Sequence, residues 1–161
     1  MLQHADWTLL FWTSSNPLTI ERNTAGLERY ISKIYYGRSF PQERIFDYGI
    51  THRPPMLVSD RSNRILLYPG SFNPPYLGHQ ELLRHGFSRS GSDLNIIAAI
   101  VLPLDDASLI PKLRAQKGAQ IFTKAQRVRL WKDYVPSDWC WVYDRSIEEW
   151  IAFKDHLIPE Y

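Results

Sequence analysis

From Leu94 to Leu102 the chain reads LNIIAAIVL, apolar almost without a break. A strand with one wet face alternates polar and apolar residues, and this run does not. Both of its faces are therefore expected to be covered, as in a central strand of a parallel sheet. A parallel sheet needs crossover connections long enough to hold helices, and the flanking sequence supplies them. Ile65 to Tyr68 is a second apolar run, closed by Pro69-Gly70, and Trp139 to Tyr143 (WCWVY) is a third. Leu77 to His85 reads as a helix stopped by Gly86. Thr123-x-x-Gln126 is a capping box opening a helix with Val128, Trp131 and Val135 on one stripe, ended by Pro136. Ser146-x-x-Glu149 opens another, with Ile147, Trp150, Ile151 and Leu157 before Pro159. This alternation predicts an α/β domain over residues 63–161, three layers built on a short parallel sheet.

Residues 1–62 differ. They hold one helix signal, Thr24 to Tyr36, with Leu27, Ile31, Ile34 and Tyr35 at helical spacing and Gly37 as a stop. A loop-like stretch with Pro41, Pro54 and Pro55 follows. This part is expected to be an N-terminal helical extension, packed on the main domain or trailing from it, and no function is legible in it.

The balance of 44% hydrophobic, 14% aromatic and 22% charged residues excludes disorder as a reading of the whole chain. A net charge of +2 implies no global polyanion-binding surface, so any useful positive charge is local. Cys140 is the one cysteine, which excludes an internal disulfide. Between Trp139 and Trp141 it reads as a packed strand thiol rather than a nucleophile. The N-terminus lacks the features of a signal peptide, and Leu9 to Trp12 is too short to span a bilayer. The expectation is an intracellular protein, cytoplasmic or nuclear, with no membrane partner.

Chemistry concentrates in Arg64 to Phe87, RILLYPGSFNPPYLGHQELLRHGF. A strand runs into Gly70, turns at Pro74-Pro75 and enters a helix near Leu77. Backbone amides and a helix N-terminus then lie at the carboxyl end of the first strand, where phosphate is favoured. His79, in the first helical turn, can aim an imidazole N–H at the same place. Neither Gly-x-Gly-x-x-Gly nor the Gly-Lys-Ser/Thr of a P-loop is present.

GSFNPPYLGH resembles the signature turn of the nucleotidylyltransferase superfamily, G-[ST]-F-[ND]-P-x-[HT]-x-G-H. Its spelling looks most like nicotinamide-nucleotide adenylyltransferases and related cytidylyltransferase-like proteins. The resemblance is clear over Arg64 to Leu102 and fades towards Leu157. It implies a Rossmann-like fold and transfer of an adenylyl or cytidylyl group from ATP or CTP, with Mg²⁺, to a small phosphorylated acceptor such as a nicotinamide mononucleotide. Pyrophosphate leaves, and catalysis is positioning plus charge stabilisation. Carried over by residue, Gly70, Ser71, Phe72, Asn73, Tyr76, Gly78 and His79 would line the nucleotide site. His79 would be the catalytic residue, stabilising charge on the transferred phosphoryl group.

Two departures stand out. Tyr76 replaces the first histidine of the family's His-x-Gly-His pattern; its hydroxyl can donate a hydrogen bond but cannot become a cation near neutral pH. The family's late Ile-Ser-Ser-Thr-x-x-Arg type motif has no counterpart before Tyr161. The domain is therefore expected to be incomplete at its C-terminus, with a sheet edge that a homo-oligomer would cover. These departures support an alternative expectation, a nucleotide-binding or interaction protein with impaired catalysis.

No acid interrupts the stretch between Asp106 and Asp133, which holds seven cations. Lys112, Lys117 and Arg127 are its candidates for phosphate contact, with a solvated helix face as the bland reading. RNA contact is the weaker functional reading, disfavoured by the low net charge and the lack of an RNA-binding motif. Asp105-Asp106 could orient an acceptor or help hold Mg²⁺, though such pairs more often cap a turn or the next helix. Trp131, Trp141 and Trp150 lie on apolar stripes and are expected in the core. No metal-ligand spacing occurs among the histidines, so no zinc site is expected.

Overall fold

The computed structural model describes residues 27–35, 44–46, 55, 63–89, 94–114, 120–136 and 138–157, leaving out the side chains of 30, 33–35, 112–114 and 155–157. Along them run α1 (Leu27–Tyr35), β1 (Arg64–Gly70), α2 (Leu77–Arg89), β2 (Ile96–Pro103), α3 (Asp106–Arg114), α4 (Lys124–Lys132), β3 (Cys140–Val142) and α5 (Ile147–Leu157). The strands form one parallel sheet in the order β1-β2-β3. β2 is central, as its unbroken apolar run requires. Ile65 pairs with Ala98, Gly70 with Pro103 and Ala99 with Cys140, so all three strands end along one carboxyl edge.

Strand alternation sorts the core into two layers. Ile65, Ala98, Ile100, Leu102, Trp141 and Tyr143 face one way and pack against Leu27 and Ile31 of α1 and Trp150 and Phe153 of α5. Leu66, Tyr68, Ala99, Val101, Cys140 and Val142 face the other way, against Leu83 of α2 and Val128 and Trp131 of α4. Helices thus cover both faces of the sheet. Each large apolar side chain buried in this way contributes about 1.5–3 kcal/mol. Burial also raises the Cys140 thiol pKa, aided by the nearby Asp138 carboxylate, consistent with a packed thiol.

Three details differ from the sequence reading. Gly86 does not stop α2, which runs on to Arg89. A Cβ at Gly86 would sit 3.4 Å from Leu66 Cδ2, so this glycine faces β1 and lets the helix pack closely. The next residue, Phe87, stacks on Trp139 with ring centroids 3.9 Å apart. Second, α3 contains Pro111, which hid it from a reading of helix signals. Buried Leu109 and the ion pair between Asp106 and Arg127 hold that helix in place. Third, Ile151 is 53% exposed, and Phe153, three residues after Trp150, takes the inner face instead.

The helix of the expected extension packs on the main domain. Leu27 and Ile31 are fully buried, the Leu27 amide donates to the Pro55 carbonyl, and the Glu28 carboxylate accepts from the Ile45 amide. Thr24, Gly37, Pro41 and Pro54 lie outside the described residues. Among the described residues, no helix is long and apolar enough to cross a membrane.

Candidate functional site

β1 delivers the chain to the carboxyl edge at Gly70, whose carbonyl accepts from the Leu104 amide at 3.0 Å. The turn then reverses through Phe72, a non-glycine residue at φ 47°. That left-handed conformation costs about 1–2 kcal/mol, and burying the ring recovers about 1.5–3 kcal/mol. The ring sits edge-on to Trp131 at 4.9 Å and tilted against Tyr68 at 5.2 Å. It also folds back over Gly70, where a Cβ would lie 2.5 Å from Phe72 Cζ. Gly70 is thus required by the packing of the turn itself. Below it, burial pushes the Tyr68 phenol up to about 12, with a further contribution from Tyr76.

Asn73 fastens the turn to the loop before α4. Its side-chain amide donates to the Gln120 carbonyl at 2.8 Å, and its Oδ1 accepts from the Phe122 amide at 2.7 Å. The Asn73-Pro74 peptide is cis. The chain enters α2 at Tyr76, whose carbonyl accepts from the His79 amide at 2.9 Å. In return, the Tyr76 amide donates to His79 Nδ1 at 3.2 Å. His79 therefore stands where a capping box has Glu or Gln, and the helix start is closed reciprocally.

This bond determines the chemistry of His79. With Nδ1 accepting, the neutral imidazole carries its proton on Nε2 and offers one donor. Partial burial lowers its pKa and so favours the neutral form. The ring is flanked by Phe72, edge-on at 5.2 Å, and by Tyr76 at 3.9 Å. Tyr76 is 62% exposed, yet it leans over the first turn of α2: a Cβ at Gly78 would meet its Cε2 at 2.7 Å. The departure at Tyr76 thus puts a ring across Gly78 and His79.

The cations divide. Arg127 is fully buried; its guanidinium donates to the carbonyls of Ser71, Leu104 and Phe122 and to Asp106 Oδ1. Expected as a phosphate contact, it is joined to the turn instead by holding the backbone from inside. Lys124 pairs with Asp105 at 2.6 Å and also donates to the Arg145 carbonyl. Lys117 and the Lys112 side chain lie outside the described residues.

The two acids are likewise engaged. Asp105 Oδ2 accepts from the Ile147 amide at the start of α5, a later helix than the next one that the pair was expected to cap. Burial alone would raise its carboxyl pKa; hydrogen bonds from Lys124 and the Ile147 amide, with the charges of Lys124 and Arg127, hold it below the ordinary value. Among the described residues, no three histidine, cysteine or acid side chains gather as a metal site.

Of the expected site residues, the structure brings Gly70, Ser71, Phe72, Asn73, Tyr76, Gly78, His79 and Arg127 into one turn and its buttress. The clasp by Asn73 and the inward pinning by Arg127 were not legible, because both bridge segments about fifty residues apart. No family model, curated protein or solved structure matches this chain.

Proposed function

We propose that the turn from Gly70 to His79 receives the phosphates of a nucleoside triphosphate. On this reading the chain is a Rossmann-like, nucleotidylyltransferase-type protein that passes an adenylyl or cytidylyl group to a small phosphorylated acceptor. The observation that carries it is the strand-turn-helix unit spelled GSFNPPYLGH at the carboxyl edge of a parallel sheet, with His79 in the first helical turn. Amides at the start of α2 and the helix dipole favour an anion there. A neutral His79 with its proton on Nε2 donates to a phosphoryl oxygen as negative charge grows on it. Transfer proceeds by attack of the acceptor phosphate on the α-phosphorus, with pyrophosphate leaving.

Asp105 and Asp106 already serve Lys124, the Ile147 amide and Arg127. Magnesium is expected to arrive as the counter-ion of the triphosphate. The test is calorimetric titration with Mg·ATP and Mg·CTP, beside a His79→Ala variant. Affinity about tenfold or more lower in the variant, some 1.4 kcal/mol, is the expected result. No heat from the folded wild-type protein with either nucleotide would refute the reading.

Tyr76 favours a second reading, nucleotide binding without turnover. Its ring lies across Gly78 and His79, in the space a triphosphate would enter. Binding without pyrophosphate release, across a panel of phosphorylated acceptors, distinguishes this reading from the first.

A further inference from the structure

The Arg127 guanidinium is 0% exposed and donates four hydrogen bonds within the protein. Nη1 meets the Ser71 carbonyl at 2.7 Å; Nη2 meets the Leu104 carbonyl at 2.8 Å and Asp106 Oδ1 at 2.7 Å. Nε meets the Phe122 carbonyl at 3.1 Å. These partners come from the turn, from the end of β2 with the start of α3, and from the loop before α4. A planar guanidinium has its donors at fixed angles, so holding three partners settles the direction of the fourth.

That direction has a consequence across one peptide bond. In a trans peptide the carbonyl and the following N–H point opposite ways. The Ser71 carbonyl points inward to Arg127, so the Phe72 N–H points away from it. Among the described residues that N–H meets no acceptor. Phe72 is also the left-handed residue of the turn, at φ 47°, and amides around such a residue form concavities that receive anions.

We infer that Arg127 is a positioning residue: by pinning the Ser71 carbonyl it aims the Phe72 amide at the phosphate, without touching the phosphate itself. This rests on the reading of the turn as a triphosphate site. A lysine would keep the charge but not the fixed fork. The inference therefore separates geometry from charge.

The test uses the full chain as Arg127→Lys, with Lys132→Gln as a control that removes an exposed cation from the same helix. The Ser71 carbonyl and Phe72 amide resonances are followed first without nucleotide. They are expected to shift in Arg127→Lys and to stay put in Lys132→Gln. Unmoved resonances overturn the proposal, whether or not any nucleotide binds. Mg·ATP affinity is then expected to fall about tenfold or more in Arg127→Lys and to be unchanged in Lys132→Gln. Wild-type affinity in a variant whose peptide has moved also overturns it. Failure of the wild-type protein to bind Mg·ATP or Mg·CTP strikes instead at the reading of the site, and the resonances still decide the role of Arg127. If Arg127→Lys does not fold, Asp106→Asn loosens the same guanidinium. A shift at Ser71 and Phe72 then supports the proposal, and silence there overturns it.

Discussion

His79 does two jobs with one ring: Nδ1 closes the start of α2, and Nε2–H remains as a donor. Protonation would set an Nδ1–H against the Tyr76 N–H, so the first job requires the neutral form. Burial lowers the pKa below its ordinary 6.5, so the unfolded chain binds more protons in that range. The contribution to stability is present above pH 6.5 and is lost as pH falls through the folded value. Thermal melts from pH 7.5 downwards are expected to show this loss in the wild-type protein and not in His79→Ala; parallel curves would contradict it. Tyr76 supplies a second test. If its ring shuts the turn, apparent affinity is reduced by the fraction of molecules held closed. Tyr76→Ala should then bind Mg·ATP more tightly, on the order of tenfold, while Tyr76→Phe should bind like wild type. Equal affinity in all three would show that the ring is no obstacle.

The elements were legible where local signals agree and illegible where contacts between distant segments decide. The α4 capping box forms as read, with Thr123 Oγ1 accepting from the Gln126 amide and Gln126 Oε1 accepting from the Thr123 amide. Thr123→Ala should cost about 1 kcal/mol in chemical denaturation. The strands and their parallel order followed from apolar runs and intervening helices, which need no distant information. Gly86 misled because its side towards Leu66 is a tertiary fact, and Pro111 misled because Leu109 and the Asp106–Arg127 pair outweigh a local breaker. Three glycines make this difference measurable. Gly86→Ala meets only an ordinary contact at 3.4 Å, so helix propensity should win and stabilise by about 0.5–1 kcal/mol. Gly78→Ala meets the exposed Tyr76 ring, which can swing aside, so stability should change little. Gly70→Ala meets the ring of Phe72, wedged among Tyr68, Trp131 and His79. It should destabilise by about 1–3 kcal/mol, as overpacking does. Equal effects at Gly70 and Gly78 would remove the distinction between a wedged ring and a loose one.

At the scale of the molecule, the helix of the N-terminal extension shares a core with the α/β domain. Leu27 and Ile31 share their cluster with Trp150 and Phe153, so α1 and α5 cover one face of the sheet together. Periodicity identified α1 as a helix with an apolar stripe; it could not say which surface the stripe meets, because the partner lies over a hundred residues away. Leu27→Ala and Ile31→Ala should each cost about 2–5 kcal/mol, the range for truncating a buried aliphatic side chain. Two such losses together are comparable to the whole stability of an ordinary domain, about 5–15 kcal/mol. A chain restricted to residues 63–161 loses both side chains and uncovers Ile65, Ile100, Trp141 and Trp150. It is expected to expose apolar surface, bind a hydrophobic dye and lose its cooperative thermal transition, although the turn from Gly70 to His79 is intact in its sequence. Any phosphate binding of the kind proposed should disappear with it, since Arg127 of α4 holds the Ser71 carbonyl, and α4 packs on the sheet that α1 helps to cover. A truncated chain that melts sharply at the wild-type temperature would show that residues 1–62 are an appendage after all.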